Sequence, residues 1–321
     1  MRKLTFVLAL LMSFIPFVAS AESASGEIKP APWSGDWWAR KKGLLVNGWQ
    51  GNMPAPFEKY DEYAKSRTGR NPGAKDWEAN VRNGHYNPQA ENWEGHCNGW
   101  SAASILTPEP IKPHTVNGIT FTTADQKGLL SELYMNCYCS FYGNRNWGKP
   151  GDDQDDIYPD EFHRLLIQYI GSGKSAMVCD ISCDRMVWNY PLYKFESSWS
   201  TGWFNDKKLK VTTDCWFVDD GVPPTYIGCK WFKIRYTYNL YLDENNNIVS
   251  GEWTGSSRSN HPDFVWIPTG DATVPSNSTL ENPRLDAKLV KEICNGNGNR
   301  AATRTPDMSI QEAGLDPEEL F

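Results

Sequence analysis

Cys97 has the strongest claim to chemistry in this sequence. It sits in Asn92-Trp93-Glu94-Gly95-His96-Cys97-Asn98-Gly99-Trp100. Ser101-Ala102-Ala103-Ser104-Ile105-Leu106 follows with small side chains and good helix propensity, and Pro108 and Pro110 stop the helix. The cysteine thus stands at or just before a helix N-terminus. There, unpaired N–H groups and the positive dipole end lower a thiol pKa and can hold an oxyanion. Gly95 and Gly99 leave room for a substrate, while Trp93 and Trp100 are placed to exclude water. A buried or disulfide-bonded structural cysteine is the plain alternative.

A thiol nucleophile needs a base, and the base needs an orienting acceptor. There are five histidines. His96 adjoins Cys97, but neighbouring side chains at a helix start diverge. His85 and His114 lie in polar or Pro-flanked stretches and read as surface residues. His163 and His261 both abut apolar segments. His163 has Asp180 downstream on an expected strand, whereas His261 has Asp243 across a hairpin and Asp263 nearby. Either set gives Cys-His-Asp acyl transfer to water or to an amine. The acidic run Asp152, Asp153, Asp155, Asp156, Asp160 and Glu161 reads as a solvated loop, with Ca2+ binding as its functional alternative. No other cofactor is called for. Cys137-x-Cys139 and Cys179-x3-Cys183, with few histidines in an exported chain, read as disulfide or free thiols, so no metal site is assigned.

The elements that must position these groups form an α+β pattern. Leu129 to Tyr134 reads as a helix. Phe162, Leu165, Leu166, Tyr169 and Ile170 have helical spacing, although Leu165 to Ile170 could also be a buried strand. Ala176 to Ile181 reads as a strand carrying Asp180 outward. Phe232 to Leu242 alternates with period two, and Ile248 to Trp253 and Phe264 to Ile267 supply further strands. Residues 59–83 read as surface helix and loop.

Composition sets the class. The chain has 321 residues, 40% of them apolar, which is enough for a real core. Its 13% aromatic content can fill that core or line a groove. The formal charge of −7 argues against nucleic acid or an anionic membrane as partner. Arg2 and Lys3, the apolar run Leu4 to Val18 and the small-x-small Ala19-Ser20-Ala21 make a secretory leader cleaved near Ala21. The mature chain is then expected to be secreted, extracellular or periplasmic, and free of the membrane. The expected layout is 1–21 signal peptide, 22–32 flexible lead-in, 33–294 one catalytic domain and 295–321 flexible tail.

Several segments resemble the elicitor-type transglutaminases of oomycetes and marine bacteria. They are Pro32-Trp33-Ser34-Gly35-Asp36-Trp37-Trp38, Gly95-His96-Cys97-Asn98-Gly99-Trp100, Asp156-Ile157 with Phe162-His163, Gly251-Glu252-Trp253, and His261-Pro262-Asp263-Phe264-Val265-Trp266. Val187-Trp188-Asn189-Tyr190-Pro191 is similar to the surface segment of oomycete members that plants perceive, with Tyr190 where Gln is usual. The resemblance covers about residues 32–268 in order. It implies a papain-like fold in which a helical N-terminal part carries the nucleophile helix against an antiparallel sheet. It also implies a protein-glutamine γ-glutamyltransferase joining exposed Gln to Lys through a Cys97 thioester. The order Cys97, His163, Asp180 follows that of animal-type transglutaminases and favours His163 as base, with His261 as its rival. Trp93, Trp100 and Trp188 are then groove candidates. A cysteine peptidase or glutamine deamidase with the same residues is the alternative. A non-enzymatic module binding cell-wall polysaccharide is a third reading.

One bridge is expected. Thr212 to Val218 and Tyr226 to Ile234 read as strands joined by Asp219-Asp220-Gly221-Val222-Pro223-Pro224. A hairpin centred on Val222 places Cys215 opposite Cys229, at a Cα separation of about 4.5 Å in a non-hydrogen-bonded pair.

Overall fold

The computed structural model describes residues 22–50, 54–82, 85–147, 156–202, 205–269 and 280–295. The expected leader 1–21, Asp152, Asp153 and Asp155 of the acidic run and the tail beyond 295 lie outside them. Among the described residues no helix is long and apolar enough to cross a membrane.

The chain opens with β1 (Glu22–Glu27), followed by helices α1 (Leu44–Asn47), α2 (Pro56–Thr68), α3 (Ala74–Ala79) and α4 (Cys97–Leu106). A small hairpin of β2 (His114–Val116) and β3 (Ile119–Phe121) leads into α5 (Thr123–Leu133) and β4 (Cys139–Gly143). Next come α6 (Pro159–Leu165), running on into a π-helical turn at Leu166–Gly171, and the strands β5 (Met177–Asp180), β6 (Asn189–Gly202), β7 (Asn205–Val218), β8 (Trp231–Leu242), β9 (Ile248–Trp253) and β10 (Phe264–Pro268). Helix α7 (Ala287–Cys294) closes the described chain. The sheet is ordered β4-β10-β5-β6-β7-β8-β9, every pair antiparallel, with β1 also paired to β6. This is an α+β architecture with the Cys97-bearing helix α4 packed on an antiparallel sheet.

Local chemistry explains the helices around the site. Proline at the first turn of α2 and of α6 presets φ where no N–H partner is lost. Thr122 and Asp125 form a reciprocal capping box that starts α5. Gly99 of α4 lies so close to α5 that a Cβ would run into the Ser131 carbonyl, so the two helices meet backbone to backbone. Ala102 and Ala103, both wholly buried, keep the rest of α4 slim against its neighbours.

Helices cover both faces of the sheet. Helix α4 packs on β6 and β10, whereas α6 packs on β8 and β9 and the π-helical turn packs on β1 and β6. The register of β6 against β7 shifts between Leu192 and Lys194, a bulge at Tyr193. That extra residue reverses side-chain alternation, so Asn189 faces α4 while Ser197 and Trp199 face α6.

Three expectations are corrected and one ambiguity is resolved. Residues 22–27 are a strand along β6 rather than a loose lead-in, because β6 outruns β5 and its Lys194–Trp199 stretch offers free backbone groups. The 162–170 segment is helical, as its spacing favoured over the strand alternative, with Phe162, Leu165, Leu166 and Ile170 all buried on one side. Asp180 points inward with no exposure. The β7–β8 register places Cys215 opposite Ile234, not Cys229. The connection is longer than the Pro pair suggested, so Cys229 lies before β8 begins and the Cys215–Cys229 bridge does not form.

Candidate active site

Cys97 is the first residue of α4, a ten-residue helix whose opening N–H groups have no intrahelical acceptor. Its Sγ donates to the Val187 carbonyl at 3.7 Å and accepts from Asn189 Nδ2 at 3.7 Å. Asn189 is held in turn: its Oδ1 accepts from Trp266 Nε1 at 2.8 Å, and its carbonyl accepts from Ser101 Oγ of α4 at 3.0 Å. The thiol therefore sits between a helix start and two strands, fixed by an amide whose other end is tied down. Burial pushes its pKa up to about 11, against the lowering hydrogen bonds from Asn189; the charges of Asp220 and Asp180 add to the rise.

The thiol opens into a cavity of about 400 Å³. Trp93, Met135, Phe141, Phe264 and Trp266 give it apolar walls, and Asn98, Arg145 and Asn189 give it polar points. Phe141 stacks on Phe264 at 4.9 Å, and the Arg145 guanidinium lies over Trp147 at 4.2 Å and over Trp93 at 5.9 Å. Such a groove suits a short polar group on an apolar stem.

Asp180 pairs directly across the ladder with Asn189, so the two share the face that α4 covers. Its Oδ1 accepts from the Trp188 N–H at 2.8 Å and from Ser182 Oγ at 2.9 Å, while Oδ2 has no hydrogen-bond partner. Burial raises its pKa to about 7, more than those hydrogen bonds lower it.

The histidines expected to serve Cys97 are engaged elsewhere. His163, on α6, bonds through Nδ1 to the Tyr238 hydroxyl at 2.8 Å and lies edge-on to Trp199. That hydroxyl continues to Thr213 and Ser197, on the sheet face opposite Cys97. Burial lowers the His163 pKa to about 4. The structure thus brings Cys97 and Asp180 to one face and His163 to the other; the β6 bulge, invisible in spacing, decides this. His261 stacks on Trp253, bonds Ser257 O through Nδ1 at 2.9 Å and places Nε2 3.3 Å from Asp156 Oδ2. Its carboxylate neighbour is therefore neither Asp243, which caps the β8–β9 turn, nor Asp263, which accepts from the Asn146 N–H. His96 turns to Glu132, 2.7 Å away.

The aromatic candidates divide. Trp93 lines the cavity. Trp100 is wholly buried and donates Nε1 to Trp33 O at 3.2 Å, so it is core. Trp188 is nine-tenths buried and stacks on Tyr190, while its neighbours Val187 and Asn189 reach the cavity. Residues 188–193 are thus mostly interior here. Asn189, Trp266 and Arg145 are the site residues that sequence reasoning missed. Of the acidic run, Asp152, Asp153 and Asp155 lie outside the described residues, and Asp156 belongs to the His261 pair.

A family model described as transglutaminase elicitor matches residues 75–212 and 212–295. The chain is also similar to the crystal structure of the GP42 transglutaminase from Phytophthora sojae. The TM-score is 0.63 at 23% identity, over 85% of this chain and 91% of that one, a likeness of fold. No curated protein matches.

Proposed function

Because the chain belongs to the transglutaminase elicitor family, we propose that it is a secreted cysteine acyltransferase that joins protein glutamine to primary amines. The observation that carries this reading is Cys97 Sγ at the start of α4, held by Asn189 Nδ2 and facing the aromatic cavity. In the first step Sγ attacks a glutamine carboxamide carbon. The C–N bond breaks, and ammonia leaves carrying the proton lost by the thiol. Asn189 Nδ2 and the α4 N–H groups stabilise the oxyanion. Asp180, neutral or charged near neutral pH and with a free oxygen, relays the proton in place of His163. A lysine amine then attacks the thioester, the C–S bond breaks, and the amine proton returns to sulfur. The Trp93, Phe264 and Trp266 walls disfavour water as acceptor.

The buried, protonated thiol favours a second reading, in which the groove binds a peptide without turning it over. One assay separates the readings. The protein is incubated with a glutamine-bearing protein and a fluorescent primary amine, beside Cys97→Ala. Incorporation lost in the variant supports the transferase. Ammonia release without incorporation makes it a hydrolase. Neither product from the folded parent leaves binding as the function.

A further inference from the structure

The residue before Cys97 belongs to a second, separate constellation. Glu78 comes from α3, His85 from the connection after it, His96 from the cap of α4 and Glu132 from α5. One ligating atom from each lies within 4.8 Å of those of the other three. His96 Nε2 is 2.7 Å from Glu132 Oε2 and 4.0 Å from Glu78 Oε1. His85 Nδ1 is 3.9 Å from Glu78 Oε1 and 3.9 Å from Glu132 Oε2. Glu132 is wholly buried, Glu78 and His96 nearly so, and only 12% of the His85 side chain is exposed. Glu78 Oε2, Glu132 Oε1 and His85 Nδ1 have no hydrogen-bond partner. Two carboxylates turned towards each other in the interior, with ligating atoms unused, are costly unless something positive lies between them.

We propose that Glu78, His85, His96 and Glu132 bind a divalent d-block cation of the zinc class. Tetrahedral ligands at zinc bond lengths stand about 3.3 Å apart. Three of the observed separations need only contract slightly to reach that spacing, and the His96–Glu132 contact needs to open. Two carboxylates and two neutral imidazoles make a neutral complex with a dication. The far nitrogen of each imidazole already has an acceptor: His96 Nδ1 lies 3.1 Å from Trp38 O, and His85 Nε2 lies 3.4 Å from Glu281 Oε1. Glu281 is itself held by Asn136 Nδ2 at 3.2 Å. Those outer partners set the tautomers that present a lone pair to the metal. Two imidazoles favour zinc, cobalt or nickel over the oxygen-seeking calcium and magnesium. With four protein ligands and no open position the site is structural. It ties α3, the start of α4 and α5 together and so fixes the backbone that carries Cys97.

The test uses the full mature chain, stripped with a chelator, desalted and titrated with Zn2+ alone. One equivalent per chain should survive desalting and raise the melting temperature. Co2+ in its place should give the intense visible bands of a four-coordinate site. Glu281→Gln, outside the ligand set, should weaken Zn2+ binding about 10–100-fold with the fold intact. His85→Ala should abolish stoichiometric binding; if that variant fails to fold, the Glu281→Gln affinity decides. Stripped, folded protein that takes up no Zn2+ overturns the proposal, as does binding unaffected by Glu281→Gln.

Discussion

Asp180→Asn tests the electrostatics of the sheet face that carries the site. The native carboxyl is wholly buried, and its Oδ1 alone is hydrogen-bonded. Asparagine keeps an oxygen at Oδ1 for the Trp188 N–H and Ser182 and cannot ionise. Burial raises the folded pKa to about 7 from an ordinary value of 3.8, so the folded chain holds this proton more tightly than the unfolded one. Its contribution to stability is therefore fully present below the unfolded pKa and is lost as pH rises through the folded one. Each pH unit well inside the window costs about 1.4 kcal/mol and the slope fades near the folded pKa, so between pH 5 and 7 the parent should lose about 2 kcal/mol relative to the variant. Above the folded pKa the difference should level off. Urea unfolding followed by tryptophan fluorescence from pH 5 to 8, on both proteins, reads the difference directly and cancels every other titration. Parallel curves would refute the argument and return Asp180 to an ordinary carboxylate. Amine transfer by the folded variant should fall about 10²–10⁴-fold at every pH, because the proton relay is gone. Full activity would remove Asp180 from the mechanism while leaving the stability argument standing.

Other perturbations probe the neighbouring contacts. Trp266→Phe removes the donor to Asn189 Oδ1 and should cost about 1–3 kcal/mol; amine transfer should fall more than stability explains, measured on folded protein at saturating amine. Gly99→Ala forces a methyl into the Ser131 carbonyl and should destabilise by about 3 kcal/mol in urea unfolding. His163→Ala breaks the bond to Tyr238 on the far face and should lower stability by about 1–3 kcal/mol. Amine transfer per folded molecule should stay at the parent level in that variant, and its loss would restore His163 as base.

The helix start at Cys97 was legible because glycine, small residues and the downstream prolines are local signals. The period-two run through β8 was legible for the same reason. The base was not. Choosing among His163, His261 and their aspartates depends on which sheet face each occupies, and one extra residue at Tyr193 reverses that choice. The Cys215–Cys229 pairing failed because hairpin register is set by the whole connection, here a long one that buries Asp220 and Val222. Asn189 lies inside Val187–Pro191, but nothing in the spacing said that the indole of Trp266, far along the chain, would hold the Asn189 amide against the thiol. The Glu78, His85, His96 and Glu132 cluster was illegible because its members share no spacing pattern; packing among α3, α4 and α5 alone brings them together.

The strand β1 has a consequence for how copies of the chain behave towards one another. It covers backbone groups of residues 194–199 that would otherwise form an open sheet edge, a template for strand addition. β1 of a second molecule would satisfy the same edge equally well, since the exchanged strand is identical. Its hold rests on the ladder and on the close approach of Gly26 to Gly171, which only a residue without a Cβ allows. A chain lacking residues 22–27 is therefore expected to self-associate through β6, and a peptide of the sequence Glu-Ser-Ala-Ser-Gly-Glu should return it to monomer in sedimentation. In the intact chain, the first strand acts as a tethered cap that keeps the sheet from growing.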